Sequence, residues 1–367
     1  MVFSGVARTG KSSNSFTNPN AIGIIRWLFQ KSDPLPGLVF MFISRTNSTS
    51  ARYLPLFEYT SNTRIVVLYG LRIPKTDRFL LLLFWAIKKF TKFRRDRYTW
   101  CHETSVKSKF GISNEILHVD DPTYSNSELE ALKEWQGRLE KSNRRGIVVC
   151  TNKFTKNWIE KELILSEVTI VEQGYLPIPN ATEKFPEFSC VYSSPYIHYG
   201  GDPHGNHTTW GAGLLFDEII EPLSQSNPEV KFHLIGRLGS EAKNRAEKLR
   251  NIVSHGFVSQ QQNQIIISKC HVGLYPRKYD HKRSIKKIYD FIGAGLPVVT
   301  YDLVDTSIIK ELNLGITVKT EEDFRKALVF LRTNEYKYQQ YTKRILSISH
   351  KFAWPTLSHK LEQLYGA

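Results

Sequence analysis

Short, continuous apolar runs rich in β-branched residues recur along this chain with helix-forming stretches between them. This alternation limits the fold more than any other property. GLVFMFIS (37–44) and RIVVLYGL (64–71) lack the every-other-residue polar break of a half-exposed strand, as expected of parallel strands covered on both faces. NEILHVDD (114–121), RGIVVCTN (145–152) and VTIVEQG (168–174) continue the series. Helices are predicted between them over 21–31, 77–93, 127–141 and 153–162, the third opened by Ser127 and Glu130 at capping-box spacing. Strands and helices alternating over such a length imply βαβ units and a parallel sheet.

The rhythm breaks at GYLPIPNATEKFPEF (174–188), where Pro177, Pro179 and Pro186 suit an extended connector. It then restarts, with strands predicted at CVYSSPY, VKFHLIG, NIVSHGF, HVGLYP and LPVVTY. The intervening helices are expected over 211–224, 240–251, 259–269 and 284–294, and a last helical region over 320–365. The expected organisation is therefore a first α/β domain over 1–175 and a linker over 176–188. A second α/β domain over 189–345 and a helical segment over 346–367 complete it. Ligands of such sheets bind at the C-terminal ends of the strands.

Lys and Arg total 50 against 35 Asp and Glu, a formal charge of +15. This surplus favours anionic partners: nucleic acid, an anionic membrane surface or phosphorylated substrates. The four cysteines are far apart and form no CxxC pair, which argues against a zinc knuckle or a disulfide framework and fits a reducing cytoplasm. The N-terminus has no apolar core of signal-peptide length, and the longest apolar run, 79–87, is too short to span a bilayer. The expected location is cytoplasmic, with peripheral binding to the inner face of a membrane as a further possibility.

The run SIKKIYDFIGAGLPVVTYD (284–302) resembles the donor-binding segment of GT-B glycosyltransferases, particularly the family 4 group. Lys287, Asp290, Gly295, Pro297, Val298 and Val299 fill the motif's lysine, acidic, glycine, proline and valine places. HLIGRLG, SHGFVS and CHVGLYPRK precede it in the family's order. The likeness is good over 145–350 and loose over the first 140 residues. It implies an α/β GT-B fold, with two Rossmann-like domains facing across a cleft and a C-terminal helix packing back toward the first. It also implies a glycosyltransferase that moves a sugar from a nucleotide-diphosphate sugar to a glycan or lipid-linked acceptor, in polysaccharide or glycoconjugate biosynthesis. Neither a metal nor any cofactor besides the donor is expected.

The donor-binding residues that this resemblance implies are Gly236, Arg237, Phe257, Tyr275, Arg277, Ser284, Lys287 and Asp290. The acid would accept the ribose hydroxyls, while lysine and the start of the predicted helix would offer positive potential to the diphosphate. Lys287 and Asp290 stand i,i+3, so both can face one side. Taken alone they also read as a solvated helical salt bridge. Two features depart from the family pattern. Eight residues before Asp290, where family members carry a first glutamate, stands Lys282; and YIHYGGDPHGNHTTWG (196–211) lacks the usual Arg and Lys. Diphosphate contacts would then pass to Arg237, Arg277, Lys282 or Lys287, and either stereochemical course stays open.

In the first domain, HVDDP (118–122) places Asp120 and Asp121 at a predicted strand end, where one could act as catalytic base. The same acids would also serve as a turn cap before Pro122. His118 and His102 are candidate acceptor-binding residues. The segment 77–98 runs from an apolar block with Phe84 and Trp85 into Lys88, Lys89, Lys92, Arg94, Arg95 and Arg97. Such a helix reads either as an interfacial membrane anchor or as a core helix with a solvated basic end. Gly5 to Ser12 satisfies GxxxxGKS, but SNSFTNPN behind it is a poor helix start, which disfavours a P-loop. A nucleic-acid-binding protein and an inactive GT-B binding protein are the alternatives. The basic residues lack the aromatic interleaving of RNA-recognition surfaces, so no nucleic-acid partner is expected.

Overall fold

A computed structural model describes the segments 37–44, 63–70, 98–101 and 116–119. From 124 to 366 it describes all but 164–166, 176, 178–182, 198–215, 239, 257, 259, 279, 281 and 283. Contacts divide the chain into Met1–Glu172 with Leu357–Ala367, and Gln173–Thr356.

In the first unit, β1 (Gly37–Ser44) pairs in parallel with β2 (Thr63–Gly70). A four-stranded parallel sheet runs in the order β3 (Tyr98–Cys101), β4 (Ile116–Val119), β5 (Ile147–Cys150) and β6 (Glu167–Ile170). The apolar runs read as strands are therefore strands. Helix α1 (Asn126–Glu140) buries Leu132, Trp135 and Leu139, one stripe of its surface, against Val148 and Cys150 of the sheet. It begins before Ser127, so the Ser127–Glu130 capping box is not its start; Ser125 and Glu128 repeat the same spacing two residues earlier. Helix α2 (Lys153–Glu160) is capped by Asn152, whose Oδ1 accepts the Thr155 N–H at 2.8 Å.

The second unit is a six-stranded, wholly parallel sheet. Its strands are β7 (Ser189–Ile197), β8 (Lys231–Leu238), β9 (Ile252–Gly256), β10 (Val272–Tyr275), β11 (Val298–Tyr301) and β12 (Gly315–Val318). Their spatial order is β12-β11-β10-β7-β8-β9. The chain thus builds outward from β7 on one side, then returns and builds outward from β10 on the other, the doubly wound order of dinucleotide-binding sheets. Side chains alternate across it. Cys190 and Tyr192 join one hydrophobic cluster, while Val191 between them joins another. Helices α3 (Glu221–Ser226), α4 (Ser240–Ala246) and α8 (Glu321–Thr333) supply the first cluster. Helices α5 (Gln260–Lys269), α6 (Lys286–Gly293), α7 (Ser307–Glu311) and α9 (Glu335–Ser349) supply the second.

Several boundaries differ from the sequence expectation. The helix predicted over 240–251 ends at Ala246, because the buried Asn251 amide donates to the carbonyls of Ser224, Asn227 and Val230 instead. The helix predicted over 211–224 is described from Phe216, as one π-helical turn passing into α3 near Pro222, which has no N–H to give. The final helical region is broken at Asn334, which caps α9 through the Lys337 N–H, and again at His350–Phe352 before α10 (Trp354–Gly366). Both β12 and α7 were unforeseen. Among the described residues, no helix is long and apolar enough to cross a membrane.

Two glycines bring α6 onto its neighbours. A Cβ at Gly273 on β10 would stand 2.5 Å from the Phe291 ring, and one at Gly293 would collide with the Tyr175 ring. Gly273→Ala should therefore overpack this contact and destabilise the protein by about 1–3 kcal/mol. Gly137→Ala, inside α1 with nothing near the added methyl, should gain about 0.5–1 kcal/mol. Denaturant unfolding of the two variants checks this; equal midpoints would contradict the packing account.

Candidate functional site

The order of the second sheet reverses between β7 and β10, which pair through Val272–Cys190 and Gly273–Val191. In open parallel sheets a ligand crevice lies outside the C-terminal ends of the strands at such a reversal. Here that end of β10 is Tyr275, followed by Pro276, Arg277 and Lys278 and then by the segment leading into α6.

Each piece of this region is anchored. The Tyr275 carbonyl accepts from Thr300 Oγ1 at 3.0 Å, and its buried hydroxyl accepts from Arg277 Nη1 at 3.4 Å. Burial pushes the Tyr275 phenol up, with Arg277 opposing. Lys278 pairs with Glu321 at the start of α8. Asp280 accepts the Lys282 N–H through Oδ1 and the Val304 N–H through Oδ2, both at 2.8 Å, tying the segment to the loop after β11. Burial alone would raise this carboxyl, but the backbone donors of Lys282 and Val304, together with Asp305, outweigh it and hold it below its ordinary value.

Helix α6 buries Ile288, Tyr289, Phe291 and Ile292, which leaves Lys286, Lys287 and Asp290 toward its other side. Its N-cap is Ile285, which gives no side-chain cap, and its first turn holds no acidic residue. Two lysines at the positive end of a helix are the reverse of the arrangement that stabilises one. An anion placed there would reverse the balance. Asp290 forms an ion pair with Lys286, both side chains only 10% exposed. Burial raises the Asp290 carboxyl, while Lys286 and then Lys287 oppose the rise. Lys287 is lowered to about 8 by burial and by Arg277, against the pull of Asp290.

The expected donor residues fall largely at this end of the sheet. Gly236, at φ 140, and Arg237 lie near the end of β8, where Arg237 pairs with Tyr196 of β7. Tyr275, Arg277, Ser284, Lys287 and Asp290 follow along and beyond β10. Ser284 is not in the first turn of the helix, as expected, but two residues before it, since α6 begins at Lys286. Asp290 has a second charge partner beside Lys287 at i,i+3: Lys286, at i,i+4, forms an ion pair with it. The i,i+4 spacing was visible in the sequence, hidden beside a second lysine. Asp280 was missed because its partner Val304 is distant in sequence.

His118 lies in β4, opposite Trp100 and Val149. Asp120, Asp121, His102 and Phe257 fall outside the described residues, as do Phe84, Trp85, Lys88, Lys89, Lys92, Arg94, Arg95 and the GxxxxGKS run.

No protein-family model matches the chain. No curated protein matches it either. Solved structures do. Anabaena HepE in complex with UDP-glucose is 11% identical, with a TM-score of 0.64 over 100% of this chain and 99% of that one. WaaG, a glycosyltransferase involved in lipopolysaccharide biosynthesis, is 11% identical with a TM-score of 0.60 over the same shares. The pneumococcal O-GlcNAc transferase GtfA, in complex with UDP and GlcNAc, is 12% identical with a TM-score of 0.54; the match covers 78% of this chain and 59% of GtfA. These likenesses show the fold, which is the α/β GT-B fold, along the whole chain.

If Asp280 holds the segment as its contacts indicate, Asp280→Ala should lower thermal stability at neutral pH. A depressed carboxyl stabilises above its unfolded value of about 3.9 and loses that contribution as pH falls through its folded value. The difference in Tm between wild type and variant should therefore shrink below about pH 4. A difference that stays constant into acid would show that Asp280 does not act as a carboxylate.

Proposed function

We propose that this chain is a glycosyltransferase that moves a sugar from a nucleotide-diphosphate sugar to a glycan or lipid-linked acceptor. The observation that carries this reading is the cluster of Arg277, Lys287 and the Lys286–Asp290 pair beside the sheet's reversal point. In this reading Asp290 accepts hydrogen bonds from the ribose hydroxyls. Lys287, Arg277 and the first N–H groups of α6 meet the diphosphate, with Arg237 and Ser284 bordering it. Gly236, Phe257 and Tyr275 line the nucleotide. The structures of HepE and GtfA hold UDP, so UDP-sugars are the first donors to try.

Transfer joins the acceptor hydroxyl oxygen to the anomeric carbon as the bond from that carbon to the diphosphate oxygen breaks. The leaving diphosphate takes the bonding pair, and its developing charge meets Lys287 and Arg277. On an inverting course the hydroxyl proton passes to Asp120 or Asp121, with His118 and His102 near the acceptor; on a retaining course the donor phosphate itself takes that part. The basic, aromatic segment 77–98 would hold the enzyme against an anionic membrane surface, on the cytoplasmic side, near a lipid-linked acceptor. WaaG, with the same fold, takes part in lipopolysaccharide biosynthesis.

Thermal stabilisation by a panel of nucleotide sugars tests the donor site. At one hundred times its dissociation constant a true donor should add about 2.7 kcal/mol to the wild type and none to Asp290→Ala or Lys287→Ala. No response to any donor would sink the proposal; stabilisation without transfer to any acceptor would identify an inactive binding protein.

The lysine also sets a pH dependence. Its value in the free protein is about 8, and a bound diphosphate must raise it. Affinity for UDP should then be flat below about pH 8 and fall above it, by at most about tenfold per pH unit, as binding comes to require proton uptake. Calorimetry from about pH 7 to 9.5 reads this. A flat profile across the range would remove Lys287 from the diphosphate.

A further inference from the structure

The two adjacent lysines of α6 are not equivalent. Lys286 and Asp290 stand one turn apart on the same face, and their ion pair is nearly closed to solvent. Lys287 feels burial and the nearby Arg277 charge, which lower it, against the pull of Asp290. Burial of Tyr289, Phe291 and Ile292 around Asp290 fixes the rotation of the helix, so the two roles cannot be exchanged by a small turn.

From this geometry we infer that Lys286 is the positioning residue of the donor site, which holds the Asp290 carboxylate ionised and aligned for the nucleotide ribose and leaves Lys287 to the diphosphate. The inference rests on reading this region as a nucleotide-sugar site. A buried carboxylate without a cation takes up a proton and becomes a donor on one oxygen. It could then no longer accept from two vicinal hydroxyls. An acid in this place therefore needs a permanent partner that the ligand does not consume, and Lys286 is that partner.

Among the described residues, the elements packed on α6 leave this task to the helix itself. Of the elements packed on α6, α5 carries one charged residue, Lys269, which lies over the Phe185 ring. β10 offers the Tyr275 phenol, held by Arg277. Helix α9 and the turn after it keep Glu335, Lys337, Lys343, Arg344, His350 and Lys351 exposed. The charges acting on the Asp290 carboxylate are those of Lys286 and then Lys287.

The test follows the Asp290 carboxyl carbon by NMR in ligand-free protein labelled at aspartate, assigned by its loss in Asp290→Asn. In Lys286→Met the carboxyl should titrate at least about one pH unit higher than in wild type, and Lys287→Met should move it less. Lys286→Gln, which keeps a donor beside the carboxylate, gives the same ordering should Lys286→Met fail to fold, and Lys286→Arg should restore the wild-type value. A shift from Lys287→Met equal to or larger than that from the Lys286 variants overturns the assignment. UDP binding is measured on the same variants. Lys286→Met should bind UDP like wild type at about pH 8 and about tenfold more weakly near pH 6, while Lys287→Met is weakened at both. Parallel pH profiles for wild type and Lys286→Met would refute the positioning role. Absence of UDP and UDP-sugar binding by the wild type, with the carboxyl titrating as expected, would instead remove the donor-site reading and the inference with it.

Discussion

The contact of the Phe291 ring with Gly273 decides how α6 sits beside the reversal of the second sheet. Phe291 is fully buried, and Gly273 on β10 has no side chain to keep it off the sheet. Helix α6 therefore comes close to the strand beside the reversal point, and its rotation is set by the apolar side chains it buries. Lys286, Lys287 and Asp290 have no freedom of their own in this. Their positions follow from an apolar stripe at helical spacing and one missing Cβ. The opposite end of the helix is fixed in the same manner, by Gly293 against Tyr175 and by Gly295, whose φ of 71° turns the chain toward β11.

What is placed there is electrostatically costly. A buried ion pair seldom repays the loss of hydration that both partners suffer, so Lys286 and Asp290 are poor value as a device for stability alone. Lys287 and Arg277 add like charges near a helix N-terminus that already disfavours them. Every one of these terms improves if a dianionic group sits in front of the lysines and hydroxyl donors sit in front of the aspartate. In the proposed reading this arrangement is preparation for a ligand, while the surrounding aliphatic side chains hold the core by themselves.

Much of this was legible in the sequence, and the exceptions share a cause. Continuous apolar runs announced β7, β8, β10 and β11, because a strand covered on both faces has no reason to alternate. The helix carrying Asp290 was equally plain. β12 and α7 passed unseen because a four-residue strand and a five-residue helix contain too few positions to show a period. The helix expected from Ser284 starts two residues later, because the chain gives the cap position to Ile285 and leaves it without a side-chain cap. The Lys286–Asp290 pair was passed over for a different reason: both i,i+3 and i,i+4 are contact spacings on a helix, and both lysines act on this carboxylate. Asp280, bridging to Val304, belongs to the class of long-range polar ties that no local pattern encodes.

The same reasoning extends to the described residues around the connector, Tyr175 and Lys184. Tyr175 donates its N–H to the Phe352 carbonyl and accepts the Trp354 N–H, each at 3.0 Å, an isolated bridge between the start of the second unit and the segment near its end. Its ring simultaneously closes over Gly293. Lys184, farther along, donates to the carbonyls of Ser268 and Cys270 at the end of α5, and burial lowers it to about 8. The connector is therefore fastened to α5 and α6, the two helices that flank β10. A connector that only joined two bodies would not need to lose solvent in this way. Fastened like this, it becomes part of the wall that holds α6 in register, so the placement of Lys286, Lys287 and Asp290 also depends on residues outside the helix.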